Sequence, residues 1–236
     1  VVPQANKQLF PEEFRDKSRL HYYSSLFNSI EINSSFYKLP MAKTVRNWSE
    51  SVPGDFRFTF KLWREITHVK ELAFNPGDVD RFLETIAEAG DKKGSLLVQF
   101  PPSLTIRSSA QLYKLLERIN QADPERGWRI ALEFRNDGWY TDEMSSLLGE
   151  FGAGLVLHDK LQAANNLQET DAEFIYLRFH GYNGDYKGGY EDDFLSEYAH
   201  YIKDWMAEDK EVFVYFNNTR GDAVHNLISL NRFVKS

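Results

Sequence analysis

The sequence contains no cysteine, so the chain can form neither a disulfide nor a thiolate nucleophile or metal ligand. This absence fits a reducing compartment, and we expect a cytoplasmic protein. Long apolar runs are also missing, since the stretch SLLVQF at 95–100 is far shorter than the roughly 18 residues of a membrane span. No charged segment followed by an apolar one opens the chain, so we expect neither a signal segment nor a membrane anchor.

Positive charge is in the minority. The chain has 28 lysine and arginine residues against 35 aspartate and glutamate residues, which gives a formal net charge of -7. Such an acidic chain does not favour broad binding of DNA or RNA, which usually requires a basic face, so we consider nucleic acid an unlikely partner. The glycine-rich fingerprints of dinucleotide-binding and phosphate-loop proteins are absent too, which counts against a doubly wound nucleotide-binding sheet.

Short apolar segments rich in Ile, Val, Phe and Tyr are present and alternate with segments of helical periodicity. Strands that alternate with helices indicate parallel βαβ units. We predict an α/β fold of the TIM-type (β/α) barrel class, as one domain over residues 1–236 with seven visible strands. The predicted strands are 28–37, 56–63, 95–100, 129–135, 154–159, 174–181 and 211–218.

Each predicted strand carries a polar side chain on one parity near its carboxyl end. In a barrel, one parity points inward and active sites lie at the carboxyl ends of the strands. We therefore predict that these polar side chains line one connected cavity, whereas His158, on the other parity, packs against a helix. A structural ion-pair network is the alternative, because carboxylates and cations nearly balance. The polar set is Glu31, Lys61, Gln99, Glu133, Arg135, Asp159, Arg178, His180 and Asn217, and Asn33 shares the face of Glu31.

Two kinds of chemistry use the carboxylates of this set. His180 with Glu31, Glu133 or Asp159 has the donor types of a metal site, but the lysine and arginines of the same set would repel a cation. We therefore expect no metal and no other cofactor. Glu31 and Glu133 also fit the paired carboxylates of a glycosidase, with aromatic rings stacking on the sugar. The candidate aromatic residues for stacking are Tyr37, Trp63, Trp139 and Tyr182.

The cations favour a third kind of chemistry, the binding of an anionic group. Arg135 and Arg178 can form forked hydrogen bonds to a carboxylate or phosphate, with Lys61 and Asn217 beside them. Glu133 or His180 would then act as acid or base, and Glu31 and Asp159 are further catalytic candidates. Asn33 and Gln99 would also contact the ligand. The segment HGYNGDYKGGY at 180–190 lies where barrels often bind phosphate, or it is only a connector.

Several motifs resemble a known family, domain of unknown function 72, the YecE-like proteins. The resemblance implies a TIM-type barrel and no established activity. Family members usually begin with a strand and a GxxGW stretch, and we expect this first strand to be missing here or reduced to Val1 and Val2. The matching motifs are FNSIEINSSFYKLP (27–40), FTFKLWREITH (58–68), LLVQFPPS (96–103), ALEFRNDGWY (131–140), YLRFHG (176–181), VYFNNT (214–219) and AVHNLISL (223–230).

The sequence thus favours an enzyme, a hydrolase or lyase that needs no metal. It would use acid–base chemistry on a small anionic or sugar-like substrate. Two other classes stay open. One is a nucleic-acid processing or repair protein with an endonuclease-like barrel, which rests on fold analogy alone. The other is a non-catalytic ligand-binding module. The oligomeric state is left open as well.

We predict that the purified protein carries no tightly bound transition metal, because the predicted cavity mixes cations with the possible ligands. Elemental analysis should find far less than one metal ion per chain. About one zinc, iron or manganese ion per chain, lost on His180→Ala, would contradict this prediction and move the function toward metal-assisted hydrolysis.

Overall fold

A computed structural model describes residues 6–159, 170–181, 183–218 and 220–236. The chain forms two compact units that divide between Trp139 and Tyr140. All seven predicted strands occur, and helices lie between them except in the range 160–169, which is outside the described residues, so the α/β class is confirmed. The first strand ends at Ile32 instead of residue 37, because Asn33–Phe36 forms a 3₁₀ helix. The single domain stays a prediction, and the expected remnant of a first strand at Val1 and Val2 lies outside the described residues.

The first unit contains four parallel strands that pair in chain order. The register places Glu31 beside Thr59 and Gln99 beside Glu133, so each pair shares one face of the sheet. The polar side chains predicted to share one parity in these neighbouring strands are therefore paired across the sheet. The strands are β1 (Ser29–Ile32), β2 (Arg57–Lys61), β3 (Lys93–Gln99) and β4 (Arg129–Glu133).

Two helices of the first unit begin at recognisable side-chain caps. The Ser18 side chain accepts a hydrogen bond from the His21 amide, and the Asn75 side chain caps the next long amphipathic helix, which has Pro76 in its first turn. One four-residue helix was not predicted, because it is too short to show a period. The helices are α1 (Arg19–Leu26), α2 (Ala42–Glu50), α3 (Arg64–Thr67), α4 (Pro76–Ile86) and α5 (Ser109–Ala122).

Within its described residues, the second unit has three longer parallel strands, three α-helices and a separate pair of two-residue strands. None of the helices in the described ranges combines the length and apolar character needed to cross a membrane. The long strands are β5 (Gly154–His158), β6 (Phe174–Phe179) and β8 (Glu211–Phe216), and the short ones are β7 (Lys187–Gly188) and β9 (Arg220–Gly221). The helices are α6 (Asp142–Glu150), α7 (Asp192–Ala207) and α8 (Ala223–Lys235).

The β5–β6–β8 sheet packs one face against α7 and α8. Leu157 belongs to this buried apolar cluster together with Leu195. His158 therefore lies on the other face, where it pairs in register with Arg178. The parity predicted for β5 is wrong: His158 does not face the helices, and Asp159 follows the end of the strand instead of ending its polar face. The strand GLVLH is apolar on both parities, so its composition does not show which face is covered.

We predict that Leu195→Ala lowers the free energy of unfolding by about 2–5 kcal/mol, because it leaves a cavity beneath the β5–β6–β8 sheet. Leu195 is fully buried, whereas Met206 on the same helix is 54% exposed. The matched control Met206→Ala should change the free energy by less than about 0.5 kcal/mol. Equal losses in both variants, measured by denaturant unfolding, would contradict this packing.

Candidate functional site

The best-defined polar cluster of the second unit lies at the carboxyl ends of β5 and β6. Asp159 follows β5 and His180 follows β6, and these two strands are paired. The His180 backbone amide donates to Asp159 Oδ1 at 2.8 Å, and the ring Nδ1 lies 3.1 Å from the same oxygen. The histidine side chain is fully buried. One carboxylate therefore holds both the backbone and the ring of His180.

Arg178 contacts the other side of the imidazole. Its Nη1 lies 3.2 Å from His180 Nε2, and the arginine is 2% exposed. A guanidinium can only donate hydrogen bonds, so Nε2 must accept here, and the ring proton lies on Nδ1 and points at Asp159. The geometry thus assigns a neutral histidine of one tautomer between a cation and a carboxylate.

Tyr190 completes the cluster from the far end of the 181–190 loop. Its hydroxyl donates to Asp159 Oδ2 and accepts a hydrogen bond of 2.6 Å from the Gly181 amide. Burial and the neighbouring carboxylate raise the pKa of Tyr190 well above its usual value. Burial also acts to raise the pKa of Asp159, but hydrogen bonds from His180 and Tyr190 outweigh it and lower that pKa. The carboxylate is therefore held in its ionised form.

Further aromatic side chains surround His180. The rings of His158 and Tyr186 lie edge-on to it, with centroids 6.0 and 5.6 Å away. His158 Nε2 in turn lies 3.3 Å from the Tyr140 hydroxyl. The half-buried Asn217 is tied to the end of β6, because its backbone amide donates to the Phe179 carbonyl at 2.6 Å. A ligand contact by the Asn217 side chain stays a prediction.

In the first unit, the charges at the end of β4 pair with each other. Glu133 is fully buried, and its Oε1 forms an ion pair with Arg135 Nη2. Gln99, its register partner on β3, donates to the Phe100 carbonyl at 2.5 Å. A buried carboxylate requires such a partner, because an uncompensated buried charge is strongly destabilising. Arg135 therefore provides the charge that a buried Glu133 requires.

The ends of β1 and β2 carry a second polar group in the first unit. Asn33 Nδ2 donates to Glu31 Oε1 at 2.6 Å. Lys61 Nζ lies 4.2 Å from the centroid of the Phe36 ring, a cation–π contact. The Ser35 hydroxyl is 2.7 Å from the carbonyl oxygens of both Ile32 and Lys61, which fixes the turn after β1 against the end of β2.

His68 lies beside this group. It follows a short helix and is not part of a strand, so strand parity could not predict its position. Its ring packs edge-on against Phe36 at 4.9 Å. Burial, followed by the charges of Lys61 and Arg64, lowers the pKa of His68 to about 4. The histidine is therefore neutral at physiological pH. Its only sequence signal was its position inside the motif FTFKLWREITH.

Among the aromatic candidates, Trp139 does not lie as predicted, and Tyr182 lies outside the described residues. Trp139 is fully buried, stacks on Phe134 at 4.6 Å and donates its indole N–H to the Leu104 carbonyl. Its ring is used in the core, so the structure gives no support to a role in sugar stacking. Tyr37, in contrast, is 70% exposed, and its ring lies edge-on to Phe36. A ligand contact by Tyr37 stays a prediction.

The polar residues thus fall into local groups within each unit, and the single connected cavity stays a prediction. Among the residues that the structure describes, no three His, Asp or Glu side chains are grouped as a metal site. The hydrogen-bonded series Arg178–His180–Asp159 instead contains a base and a carboxylate, the groups that proton transfer requires. The sequence did not indicate Tyr190 as a site residue, because its contact with Asp159 depends on how the chain after β6 folds back.

The comparisons with known proteins agree on one family. The model of the family described as "Protein of unknown function DUF72" matches residues 2–236. The chain belongs to the DUF72 family. It is 25% identical to the UPF0759 protein YunF of Bacillus subtilis (strain 168), over 92% of this chain and 87% of that protein. It is also 30% identical to the UPF0759 protein YecE of Escherichia coli (strain K12), over 42% of this chain and 37% of that protein.

Solved structures of DUF72 proteins share the fold. One from Enterococcus faecalis V583 matches with a TM-score of 0.81 and 24% identity, over 93% of this chain and 89% of that one. Another from Thermotoga maritima MSB8 gives a TM-score of 0.71 and 23% identity, over 92% and 88%. With the seven parallel strands, this likeness confirms the predicted TIM-type barrel class.

We predict that Asp159→Asn destabilises the protein at neutral pH and that the loss disappears in acid. A carboxyl group whose pKa is lowered on folding stabilises the fold above its ordinary pKa, here 3.8. That contribution falls away as the pH drops through the lower pKa of the folded state. Denaturant unfolding between pH 7 and pH 3 should show the native and variant curves converging only below pH 4.

The control is Asp209→Asn, at an exposed turn residue with a φ of 61°, which aspartate and asparagine both tolerate. It should leave the pH dependence of the native protein unchanged. A gap between the native protein and Asp159→Asn that stayed constant with pH would show that Asp159 acts through shape and not through its charge.

Proposed function

We propose that the protein is an enzyme that transfers a proton to or from a small anionic or sugar-like substrate, with His180 as the proton carrier. The observation that carries this proposal is the position of the buried imidazole, with Nδ1 against Asp159 and Nε2 against Arg178. A neutral histidine of fixed tautomer is the usual general base of an enzyme at neutral pH.

An anionic group of the substrate would bind Arg178 and so change the hydrogen bonds of His180. A carboxylate or phosphate that accepts from the guanidinium would compete with His180 Nε2 for the same donor, since charged acceptors form the stronger hydrogen bonds. Nε2 would then be able to take a proton from the bound substrate. Asp159 would stabilise the imidazolium ion that forms, and the low dielectric around a buried ring would strengthen that effect.

The carboxylate-pair alternative has weaker support. Glu133 is already engaged by Arg135, and Glu31 accepts a hydrogen bond from Asn33, so neither is arranged as an acid waiting for a glycosidic oxygen. The net charge of -7 counts against a nucleic-acid repair protein. We therefore keep a metal-independent hydrolase or lyase acting on a small molecule, in the cytoplasm, as the proposed function. A binding module that uses the same residues without turnover is the second candidate.

We predict that the native protein catalyses exchange of a substrate C–H proton or a bond cleavage in a panel of sugar phosphates, hydroxy acids and sugar acids. Incubation in D₂O, followed by proton NMR, detects both outcomes. His180→Asn should lower the rate by about 10²–10⁴-fold, because asparagine can still donate to Asp159 but offers no Nε2.

The matched control is His200→Asn, which changes an exposed histidine on α7 and should leave the rate unchanged. Turnover that survives in His180→Asn would remove His180 from the chemistry. Binding of a panel member, without exchange or cleavage in the native protein, would favour the binding module.

A further inference from the structure

A small second sheet joins two loops of the second unit beside His180. In it Lys187 pairs with Arg220 and Gly188 pairs with Gly221. A Cβ atom on Gly221 would lie 2.1 Å from the Gly188 carbonyl oxygen, so no other residue fits there. Glycine at this position therefore permits a close backbone approach that holds the two loops together.

This sheet is anchored to the candidate site. The Tyr186 amide donates to the His180 carbonyl at 2.7 Å. Gly181, at a φ of 94°, passes so close to the next strand that a Cβ atom there would lie 2.3 Å from the Lys187 carbonyl oxygen. The backbone of Lys187 thus touches the residue that follows His180.

Lys187 and Arg220 place two positive charges next to each other. They are register partners in a parallel pair, so their side chains leave the same face, and both residues are exposed. Like charges directly opposite each other destabilise a strand pair. Asp185 offsets only part of this repulsion, with its Oδ2 at 3.4 Å from Lys187 Nζ. A doubly charged anion bound between the two cations would turn the repulsion into attraction.

Helix α8 begins at Ala223, two residues after β9, and runs for 13 residues. Its N-cap residue Asp222 makes no side-chain capping hydrogen bond. The Asp222 carboxylate is directed toward Gly189 instead, where a Cβ atom would lie 3.0 Å from Oδ2. The amide groups of the first turn have no partner within a helix, and they favour a negative charge.

Asn218 supplies independent evidence of a ligand. It is fully buried, and its Nδ2 donates to the Gly188 carbonyl at 2.9 Å and lies 3.3 Å from Asn226 Oδ1. Asn226 is fixed in turn by the backbone of Tyr190, so the orientation of the Asn218 amide is defined. Asn218 Oδ1 has no hydrogen-bond partner among the described residues. A buried acceptor of this kind calls for a donor such as a hydroxyl group.

We propose that this corner binds the phosphate group of a hydroxylated phosphate ester, such as a sugar or polyol phosphate. Lys187, Arg220 and the first turn of α8 hold the phosphate, and Asn218 Oδ1 accepts a hydrogen bond from a hydroxyl group of the same ligand. The assignment of this ester as the substrate rests on the proposed function of His180, with the phosphate in this corner and a second anionic group of the ligand, such as a carboxylate, at Arg178. The binding site itself stands on the residues above.

The experiment measures the affinity of the native full chain for three probes at constant ionic strength: inorganic phosphate, methyl phosphate and glycerol 3-phosphate. Thermal shift and calorimetry give the Kd of each. We expect all three to bind, and glycerol 3-phosphate to bind several-fold more tightly than methyl phosphate, because only it offers hydroxyl groups to Asn218. The double variant Lys187→Ala/Arg220→Ala should weaken binding of every probe by about tenfold or more.

The matched control removes two cations from the other end of the same helix, as Arg232→Ala/Lys235→Ala, and should leave the Kd values unchanged. Asn218→Ala should abolish the preference for glycerol 3-phosphate over methyl phosphate. Equal affinities for these two probes in the native protein overturn the hydroxyl contact without requiring any variant to fold. Unchanged binding in the Lys187/Arg220 variant overturns the phosphate site. His180→Asn should still bind all three probes, so loss of turnover with retained binding separates this site from the proposed chemistry.

Discussion

The Asp159 carboxylate is the contact on which the candidate site of the second unit depends. It accepts hydrogen bonds from the His180 backbone, the His180 ring and the Tyr190 hydroxyl. These three donors come from the end of β6 and from the far end of the loop that follows it. A single ionised group thus fixes the orientation of the imidazole and joins Tyr190 to the end of β6. Its low pKa is the consequence, because the donors stabilise the charged form.

The orientation of the imidazole decides which ring nitrogen donates a hydrogen bond and which one accepts. Asp159 accepts a hydrogen bond from His180 Nδ1–H, so Nε2 carries the lone pair and accepts from Arg178. The two charges flank a neutral base, and the cluster is stable without a ligand. In the proposed function the same arrangement would respond to an anion, because Arg178 can exchange a nitrogen acceptor for a charged oxygen. Stability without a ligand and the proposed response to a ligand would then come from the same three side chains.

The polar residues at the strand ends of the first unit follow a different arrangement. Glu133 pairs with Arg135, Asn33 donates to Glu31, and Lys61 covers the Phe36 ring. The first two contacts stay within one strand end, and the third joins the end of β2 to the turn after β1. They agree with the structural network that was the alternative interpretation of the sequence, whereas the Asp159 cluster joins a strand end to a loop. This contrast is why the proposed chemistry centres on His180.

The sequence by itself determined the seven strands, because short apolar segments that alternate with helical periodicity are typical of parallel βαβ units. It also singled out Asp159, Arg178 and His180 as polar groups at strand ends. It could not orient β5, whose residues are apolar on both parities, and it placed Trp139 at a ligand when the ring lies in the core. Only the tertiary structure brought Tyr190 to Asp159 and Lys187 to Arg220. Loop residues have no period to read, so contacts between distant loops depend on how the backbone folds.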